Sequence, residues 1–209
     1  MHTLRRWWLG RRAGDGEWAG LLRPAPPGEW VSLDLETTGL DPRQDHILSL
    51  AAVPVRDGRV LTSERFERRI RADRAFGIES IRHHRITPDE AAEGVAVTAA
   101  VREFLHWLQG RRLLGYHLGF DLAMLSPHVR ALTGFGLPNP RVELANAFAR
   151  RARRIQPNAP PNLDFRHIAD SLGVPVLGRH SALGDAVTVG LCWLALQAPR
   201  RPLPGEPGR

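Results

Sequence analysis

Two carboxylates stand two positions apart in the segment VSLDLETTGL, where Asp34 and Glu36 alternate with apolar residues. In a β-strand such residues project from the same face, so the two side chains point together while their apolar neighbours point into the core. Paired carboxylates repel each other unless a cation offsets their charge. Because both ligands offer oxygen, Mg²⁺ or Mn²⁺ fits better than zinc. A solvent-facing polar edge is the commoner explanation for such a pair taken alone.

A third carboxylate, Asp121, lies in LLGYHLGFDLAML, at the start of a predicted helix that follows a short strand. Binding sites of α/β proteins collect at such strand-to-helix junctions. An aspartate at a helix start is more often a cap that the helix dipole stabilises. The residue alone therefore does not identify a site.

A histidine and a fourth carboxylate, His180 and Asp185, stand in GRHSALGDAV. Asp185 falls in the first turns of the last predicted helix, whose buried side is expected to carry Leu183, Val187 and Leu191. His180 precedes that helix in a glycine-containing segment that can move. An isolated histidine is usually a surface or capping residue. The aspartate at a fixed distance and the three earlier acids favour a catalytic base instead.

Together these segments resemble the motifs of the DEDDh exonucleases, the family that includes the proofreading epsilon subunit of bacterial DNA polymerase III. The family's D-x-E-T-T-G-L motif is matched by residues 34–40, its second motif by the Phe-Asp pair ending at Asp121, and H-x-x-x-x-D by His180 and Asp185. The stretch IRHHRITPDEAAEGV also resembles the family's segment between the third strand and the first helix. The resemblance covers about residues 30–197 and implies a ribonuclease H-like fold.

The resemblance implies a 3′→5′ exonuclease that hydrolyses phosphodiester bonds from the 3′ end of single-stranded DNA and releases mononucleotides. It also implies two divalent ions, Mg²⁺ or Mn²⁺. Asp34, Glu36 and Asp185 would hold the ion on the side of the nucleophile, and Asp34 with Asp121 the other. His180 would be the general base for the attacking water, because a neutral imidazole is available near neutral pH.

The resemblance further points to contacts with the terminal nucleotide from four residues, Thr37, Thr38, Leu40 and His117. The two threonines and the following glycine could instead only shape the turn that leaves the strand. Family members often have His-Asn before the second motif, whereas residues 116–119 here are Tyr-His-Leu-Gly, so the substrate contacts at this point stay open. Glu143 stands where an aspartate is common after the fourth strand, and we expect it not to matter to the chemistry.

The hydrophobic pattern indicates which elements must position these residues. Residues 30–36 alternate apolar and polar side chains, residues 47–55 are almost wholly apolar, and an Asp57-Gly58 hairpin turn leads into a third strand at 60–70. The later elements are a strand at 112–116 and helices at 98–108, 120–132, 142–154, 163–172 and 181–197. This order predicts an α/β domain with a mixed central sheet of about five strands flanked by helices.

Composition favours a polyanionic partner. The 209 residues include no lysine, so all 29 basic side chains are arginines, and the net charge is +7. Arginine pairs bidentately with phosphate, although genome composition explains the charge equally well. The single cysteine, Cys192, excludes an internal disulfide and a cysteine-based zinc site, and its apolar surroundings indicate a core residue.

We divide the chain into an Arg/Trp-rich appendage and linker at 1–29, an exonuclease domain at 30–197, and a Pro/Gly-rich tail at 198–209 that we expect to be disordered. No apolar run reaches the length of a membrane span, which predicts a soluble, cytoplasmic protein without a membrane partner. Trp7 and Trp8 are expected to pack on the domain, with stacking on bases as the alternative. A polymerase partner would fit the resemblance, but the tail offers little for docking one.

Other functions stay open beside this one. Ribonucleases of the same superfamily use the same five residues, so RNA 3′ ends are an alternative substrate, although the TTGL segment favours DNA. A non-catalytic nucleic-acid-binding module would be expected to have lost at least one of the five. A nucleotide-binding regulator is excluded because the chain has no G-x-x-x-x-G-K-[ST] loop. Family membership suggests a role in DNA repair or nucleic-acid turnover.

Overall fold

The computed structural model describes residues 16–72, 77, 80–81 and 84–198. Its centre is one six-stranded sheet in the order β3-β2-β1-β5-β6, with β4 also paired to β2. The four strands from β1 to β4 pair antiparallel, whereas β1, β5 and β6 run parallel. The predicted mixed sheet is therefore confirmed. The strands are β1 (Trp30–Thr37), β2 (Ile47–Arg56), β3 (Arg59–Val60), β4 (Phe66–Arg69), β5 (Arg112–Gly115) and β6 (Arg141–Glu143).

Helices flank this sheet, and local signals set where several of them begin. Thr87 and Glu90 form a reciprocal capping box at the start of one, and Asp164 and Ser181 accept backbone amides at the starts of two others. Among the described residues, no helix has the length and apolarity that crossing a membrane requires. The helices are α1 (Ala19–Leu22), α2 (Pro88–Ala92), α3 (Val97–Leu108), α4 (Leu118–Thr133), α5 (Leu144–Ile155), α6 (Phe165–Ser171) and α7 (Ala182–Gln197).

The central strand β1 is covered on both faces. Val31 and Leu33 belong to one core together with α3 and α4, where Phe104 is fully buried. Trp30 points to the other face and packs edge-on against Trp193 of α7, with 4.8 Å between the ring centroids. The second core also contains Cys192, as its sequence context predicted, and burial raises the pKa of that thiol to about 12. Polar side chains on the α7 side of β1 are therefore partly shielded from water.

Two predicted elements differ in the structure. The helix expected at 142–154 begins only at Leu144, because Val142 pairs with Leu114 in the parallel ladder of β5 and β6. Three residues are too few for a strand pattern to be recognised in the sequence. The strand expected at 60–70 is divided into β3 and β4 by a 3₁₀ turn at Thr62–Glu64. Both halves still pair with β2. This division and the additional strand β6 together account for six strands rather than about five.

The segment that precedes β1 packs on the domain through α1. Leu21 is 1% exposed within the first core, and the Trp18 indole donates a hydrogen bond to the carbonyl of Leu132 over 3.1 Å. The same indole stacks on His106 of α3, with 5.0 Å between the ring centroids. The predictions for Trp7 and Trp8 and for a disordered tail fall on residues 1–15 and 199–209, outside the described residues.

Candidate active site

Asp34 and Glu36 lie on the part of β1 that extends beyond its parallel neighbour. The ladder with β5 ends at Ser32, whereas the antiparallel ladder with β2 continues, with Asp34 opposite Ala51 and Glu36 opposite Ser49. The open edge leaves room for other elements to reach the two carboxylates. This edge lies at the carboxyl end of the central strand, where α/β proteins commonly place their sites.

Helix α7 brings the fourth predicted acid to this pair. One carboxylate oxygen from each of Asp34, Glu36 and Asp185 lies within 4.8 Å of the other two. Oδ2 of Asp185 accepts a hydrogen bond from the backbone amide of His180 at 3.3 Å. Oδ1 of Asp185 is buried and has no hydrogen-bond partner among the described residues. A buried oxygen left in this way suits a cation, because burial without a partner is costly.

Asp121 lies in the first turn of α4 and is 4% exposed. Burial raises its pKa to about 8, against the effect of hydrogen bonds from the backbone amides of Asp121 and Leu35. Its charge in turn raises the pKa of Asp34. Asp121 is therefore an electrostatic neighbour of the cluster, although it lies outside the group of three whose oxygens come closest.

The acids of the site all have raised pKa values for the same physical reason. Burial raises the pKa of Asp34 well above its ordinary value, and the charges of Asp121, Glu36 and Asp185 raise it further. Burial, followed by the charge of Asp185, raises the pKa of Glu36 to about 7. Burial also raises the pKa of Asp185. Buried like charges of this kind are stabilised by a divalent cation, and an all-oxygen set fits a hard one.

His180 is placed by an unusual backbone. It has φ of 65° and follows Gly178 at 52°, so two left-handed residues lie just before the Ser181 cap of α7. Gly184 allows the loop before α7 to lie this close to the helix, because a Cβ at position 184 would lie 2.4 Å from the carbonyl oxygens of both Leu177 and Gly178. The charge of His180 lowers the pKa of Asp185, which places the imidazole in the electrostatic environment of the cluster.

The four predicted substrate contacts lie on two segments at this end of the sheet. The Thr37 hydroxyl donates to the Gly39 carbonyl at 2.7 Å, and the Thr38 hydroxyl donates to Asp45 at 2.9 Å. Both hydroxyls therefore hold the turn that leaves β1, while Leu40 is 85% exposed beside them. His117 is exposed at the start of α4, with φ of 56°. Their contacts with a nucleotide stay predictions.

Glu143, which the sequence analysis set aside, holds the start of α4. Its two carboxylate oxygens accept the backbone amides of His117 at 3.0 Å and Leu118 at 2.9 Å. Those amides belong to the helix that carries Asp121, so Glu143 positions that acid. The sequence marks Glu143 only as an acid near the start of a predicted helix, and its partner amides lie 25 and 26 positions away along the chain.

Arg179 is a second residue that the sequence analysis did not single out. Its charge lowers the pKa values of Asp34, Glu36 and Asp185, so the guanidinium lies close enough to act on all three. Its Cζ atom lies 5.0 Å from the ring centroid of Phe165. No sequence motif marks this residue, because its position depends on how the loop before α7 meets α6.

A cavity of about 510 Å³ adjoins Glu36 of the cluster. Ser181 and Ala182 at the start of α7 also line it, and its charged lining consists of Arg69, Arg85, Glu67, Glu90 and Glu93. This volume falls within the range of small-ligand pockets. Glu36 therefore lies beside a space of the size that small ligands occupy.

A carboxylate cluster on the central strand of a mixed sheet, at its carboxyl end, is an arrangement that suits a hydrolase assisted by divalent ions. The RNase_T family model, described as Exonuclease, matches residues 31–190. The chain therefore belongs to this exonuclease family, which confirms the family that the motifs indicated.

Curated relatives carry names from DNA replication. The chain is 30% identical over 176 residues to DNA polymerase III subunit epsilon of Rickettsia conorii, covering 82% of this chain and 74% of the relative. It is 25% identical over 157 residues to the PolC-type DNA polymerase III of Thermotoga petrophila, covering 75% of this chain but only 11% of that protein. The chain thus corresponds to most of one relative and to a small part of the other.

Solved structures share the fold. Exonuclease I of E. coli in complex with a dT13 oligonucleotide superposes with a TM-score of 0.66 at 19% identity, over 81% of this chain and 41% of that one. Cell-death related nuclease 4 gives a TM-score of 0.68 at 13% identity, over 83% and 64% of the two chains. At such identities the likeness concerns the fold alone.

Proposed function

We propose that this protein is a 3′→5′ exonuclease that removes mononucleotides from single-stranded DNA. The observation that carries the proposal is the convergence of Asp34, Glu36 and Asp185 within 4.8 Å, with one buried oxygen of Asp185 lacking a hydrogen-bond partner in the described structure. The names of the epsilon-type relatives and the oligonucleotide bound to E. coli exonuclease I support DNA as the substrate.

The chemistry rests on two divalent ions, Mg²⁺ or Mn²⁺, which when bound supply a nucleophile at neutral pH and stabilise the leaving oxygen. Asp34, Glu36 and Asp185 would hold the ion on the nucleophile side. Asp34 and Asp121 would hold the other. His180 removes the proton of the attacking water as general base.

Around this centre the protein orients the strand. The cavity beside Glu36 receives the terminal nucleotide, and exposed Leu40 contacts it from the turn after β1. His117 and the backbone near Thr37 complete the contacts. Thr38 supports them by holding the turn through Asp45. A polymerase partner is no part of this proposal, since it rests only on the names of relatives.

The test is the degradation of single-stranded DNA labelled at either end, beside the matched RNA, with Mg²⁺ or Mn²⁺ and with EDTA. We expect the 5′-labelled strand to give a shortening ladder and the 3′-labelled strand to release a labelled mononucleotide at once, only with metal. The Asp34→Asn variant is the inactive control. Faster cleavage of RNA would make the protein an exoribonuclease, and binding without cleavage of either strand would make it a non-catalytic module.

A further inference from the structure

Among the residues that the structure describes, the guanidinium of Arg179 makes no hydrogen bond, although its charge acts on the carboxylate cluster. It lies over the ring of Phe165, with 5.0 Å between Cζ and the ring centroid. Phe165 is 5% exposed and therefore gives the guanidinium a fixed support. Arginine carries five N–H donors in a planar fork, and stacking on a ring leaves those donors in the plane available. Arg179 itself is exposed, so a ligand can reach it.

The backbone around Arg179 fixes its location. Gly178 and His180, on either side of it, both have left-handed φ values, at 52° and 65°. The carbonyls of Leu177 and Gly178 lie against Gly184 at a distance that leaves no space for a Cβ. The loop is thus pressed onto the first turn of α7, next to Asp185. Arg179 reaches the site from a constrained segment.

Charge balance shows what this arginine adds. The four carboxylates carry a charge of −4 when ionised, and two divalent ions would offset it completely. Arg179 adds a positive charge that acts on Asp34, Glu36 and Asp185, and a phosphodiester group would bring one negative charge to meet it. Arginine pairs with phosphate through two parallel hydrogen bonds, which makes it suited to this task.

We propose that Arg179 docks a backbone phosphate of the single strand, at or next to the bond to be cleaved. The inference deepens the proposed function and rests on it for the identity of the strand. Arg179 acts in binding and orientation: it holds the phosphate against the carboxylate cluster while the ring of Phe165 supports it from behind. No proton passes through it, because arginine stays charged in proteins.

Three variants test this role. Arg179→Gln removes the charge, Arg179→Lys keeps the charge without the fork, and Arg166→Gln is the matched control on α6. Arg166 follows Phe165 in sequence and is exposed, and within the described residues its side chain makes no hydrogen bond or ion pair. All three variants should unfold at the temperature of the wild-type protein.

Binding of a fluorescent single-stranded oligonucleotide is measured by anisotropy in Ca²⁺ and in EDTA, over a series of NaCl concentrations. We expect Arg179→Gln to weaken binding about tenfold, the loss of one charge-assisted contact. The slope of log K against log[salt] should fall by about 0.7, as for one phosphate contact on a single strand. Arg179→Lys should keep the slope with a smaller loss of affinity, and Arg166→Gln should match the wild type.

Steady-state cleavage with Mg²⁺ is the second measurement. We expect Arg179→Gln to raise KM about tenfold and to leave kcat unchanged. Unchanged affinity and salt slope in Arg179→Gln, or a loss confined to kcat, would overturn the docking role. The binding measurement does not depend on cleavage. If the wild-type protein cleaves nothing, the proposed function is refuted, but the binding data still decide the role of Arg179.

Discussion

The backbone amide of His180 donates to Oδ2 of Asp185 over 3.3 Å, across five positions of the chain. This bond joins the predicted base to a predicted metal ligand, and it is made by the main chain rather than by the imidazole. The side chain of His180 can therefore be removed without removing this bond. Chemistry and metal binding become separable by mutation at this position.

Replacing His180 by Ala should leave binding of Mn²⁺ and of single-stranded DNA intact while turnover falls about 10²–10⁴-fold, the usual contribution of a general base. Calorimetric titration with Mn²⁺ measures metal binding, and single-turnover cleavage measures the chemical step. His167→Ala, at an exposed position of α6, is the control, with wild-type rates expected. A wild-type rate in His180→Ala would refute the assignment of the base.

The metal-free protein should lose stability as the pH rises. Folding raises the pKa of Glu36 from its ordinary 4.5 to about 7 and that of Asp121 from 3.8 to about 8, and raises those of Asp34 and Asp185 in the same direction. The folded state therefore binds more protons than the unfolded chain over this range, and stability is lost as the pH passes these values.

The measurement is thermal unfolding in EDTA from about pH 4.5 to about pH 8, followed by addition of Mn²⁺. We expect Tm to fall by about 2–4 °C for each kcal/mol of lost stability, and the metal to restore it most at the high end. Glu36→Gln should flatten the pH dependence. A Tm that rises with pH in EDTA would contradict the assignment of buried, mutually repelling acids.

Glu143→Ala should reduce both stability and activity, because it leaves the amides of His117 and Leu118 without their acceptor. Loss of such a cap costs about 1–2 kcal/mol, which urea unfolding can resolve. Glu103→Ala is the matched control, since it removes only an exposed pair with Arg68 and should cost at most about 1 kcal/mol. Equal effects of the two changes would show that Glu143 has no special role.

Gly184→Ala should abolish activity, because the added Cβ meets the carbonyl oxygens of Leu177 and Gly178 at 2.4 Å and displaces the loop that carries His180. Gly119→Ala is the control within α4, where nothing lies within 4 Å of an added Cβ. That change should be tolerated, with the free energy of unfolding within about 0.5 kcal/mol of the wild type, because Gly119 is exposed in the first turn. Unfolding curves and cleavage rates of both variants decide the point, and an active Gly184→Ala enzyme would show that the loop tolerates displacement.

The acids of the site could be predicted from the sequence because each lies in a short local motif. Alternation fixes the common direction of Asp34 and Glu36, and a helix start fixes Asp121. The buried face of α7 could not be predicted in the same way. The expected Leu183, Val187 and Leu191 are only partly buried, whereas Ala182, Ala186, Val189 and Trp193 are buried. That helix is apolar almost all round, so its pattern does not select a face.

The roles of Glu143 and Arg179 at the site could not be predicted from the sequence, for a different reason. Their partners are distant in sequence: Glu143 holds the start of α4, and Arg179 rests on Phe165 of α6. Local patterns carry no information on which loops meet across the end of a sheet. Very short strands cannot be predicted from local patterns either, and the three-residue strand β6 is an example.

The two cores on either side of β1 affect how the protein should lose activity. Asp34 and Glu36 lie on the shared strand, Asp121 belongs to a helix of one layer and Asp185 to a helix of the other. A shift of one layer against the sheet by an ångström would separate the carboxylates while every helix stayed intact. Inactivation by heat or pressure should then precede melting, and catalytic rate becomes a more sensitive gauge of layer alignment than any spectroscopic signal of secondary structure.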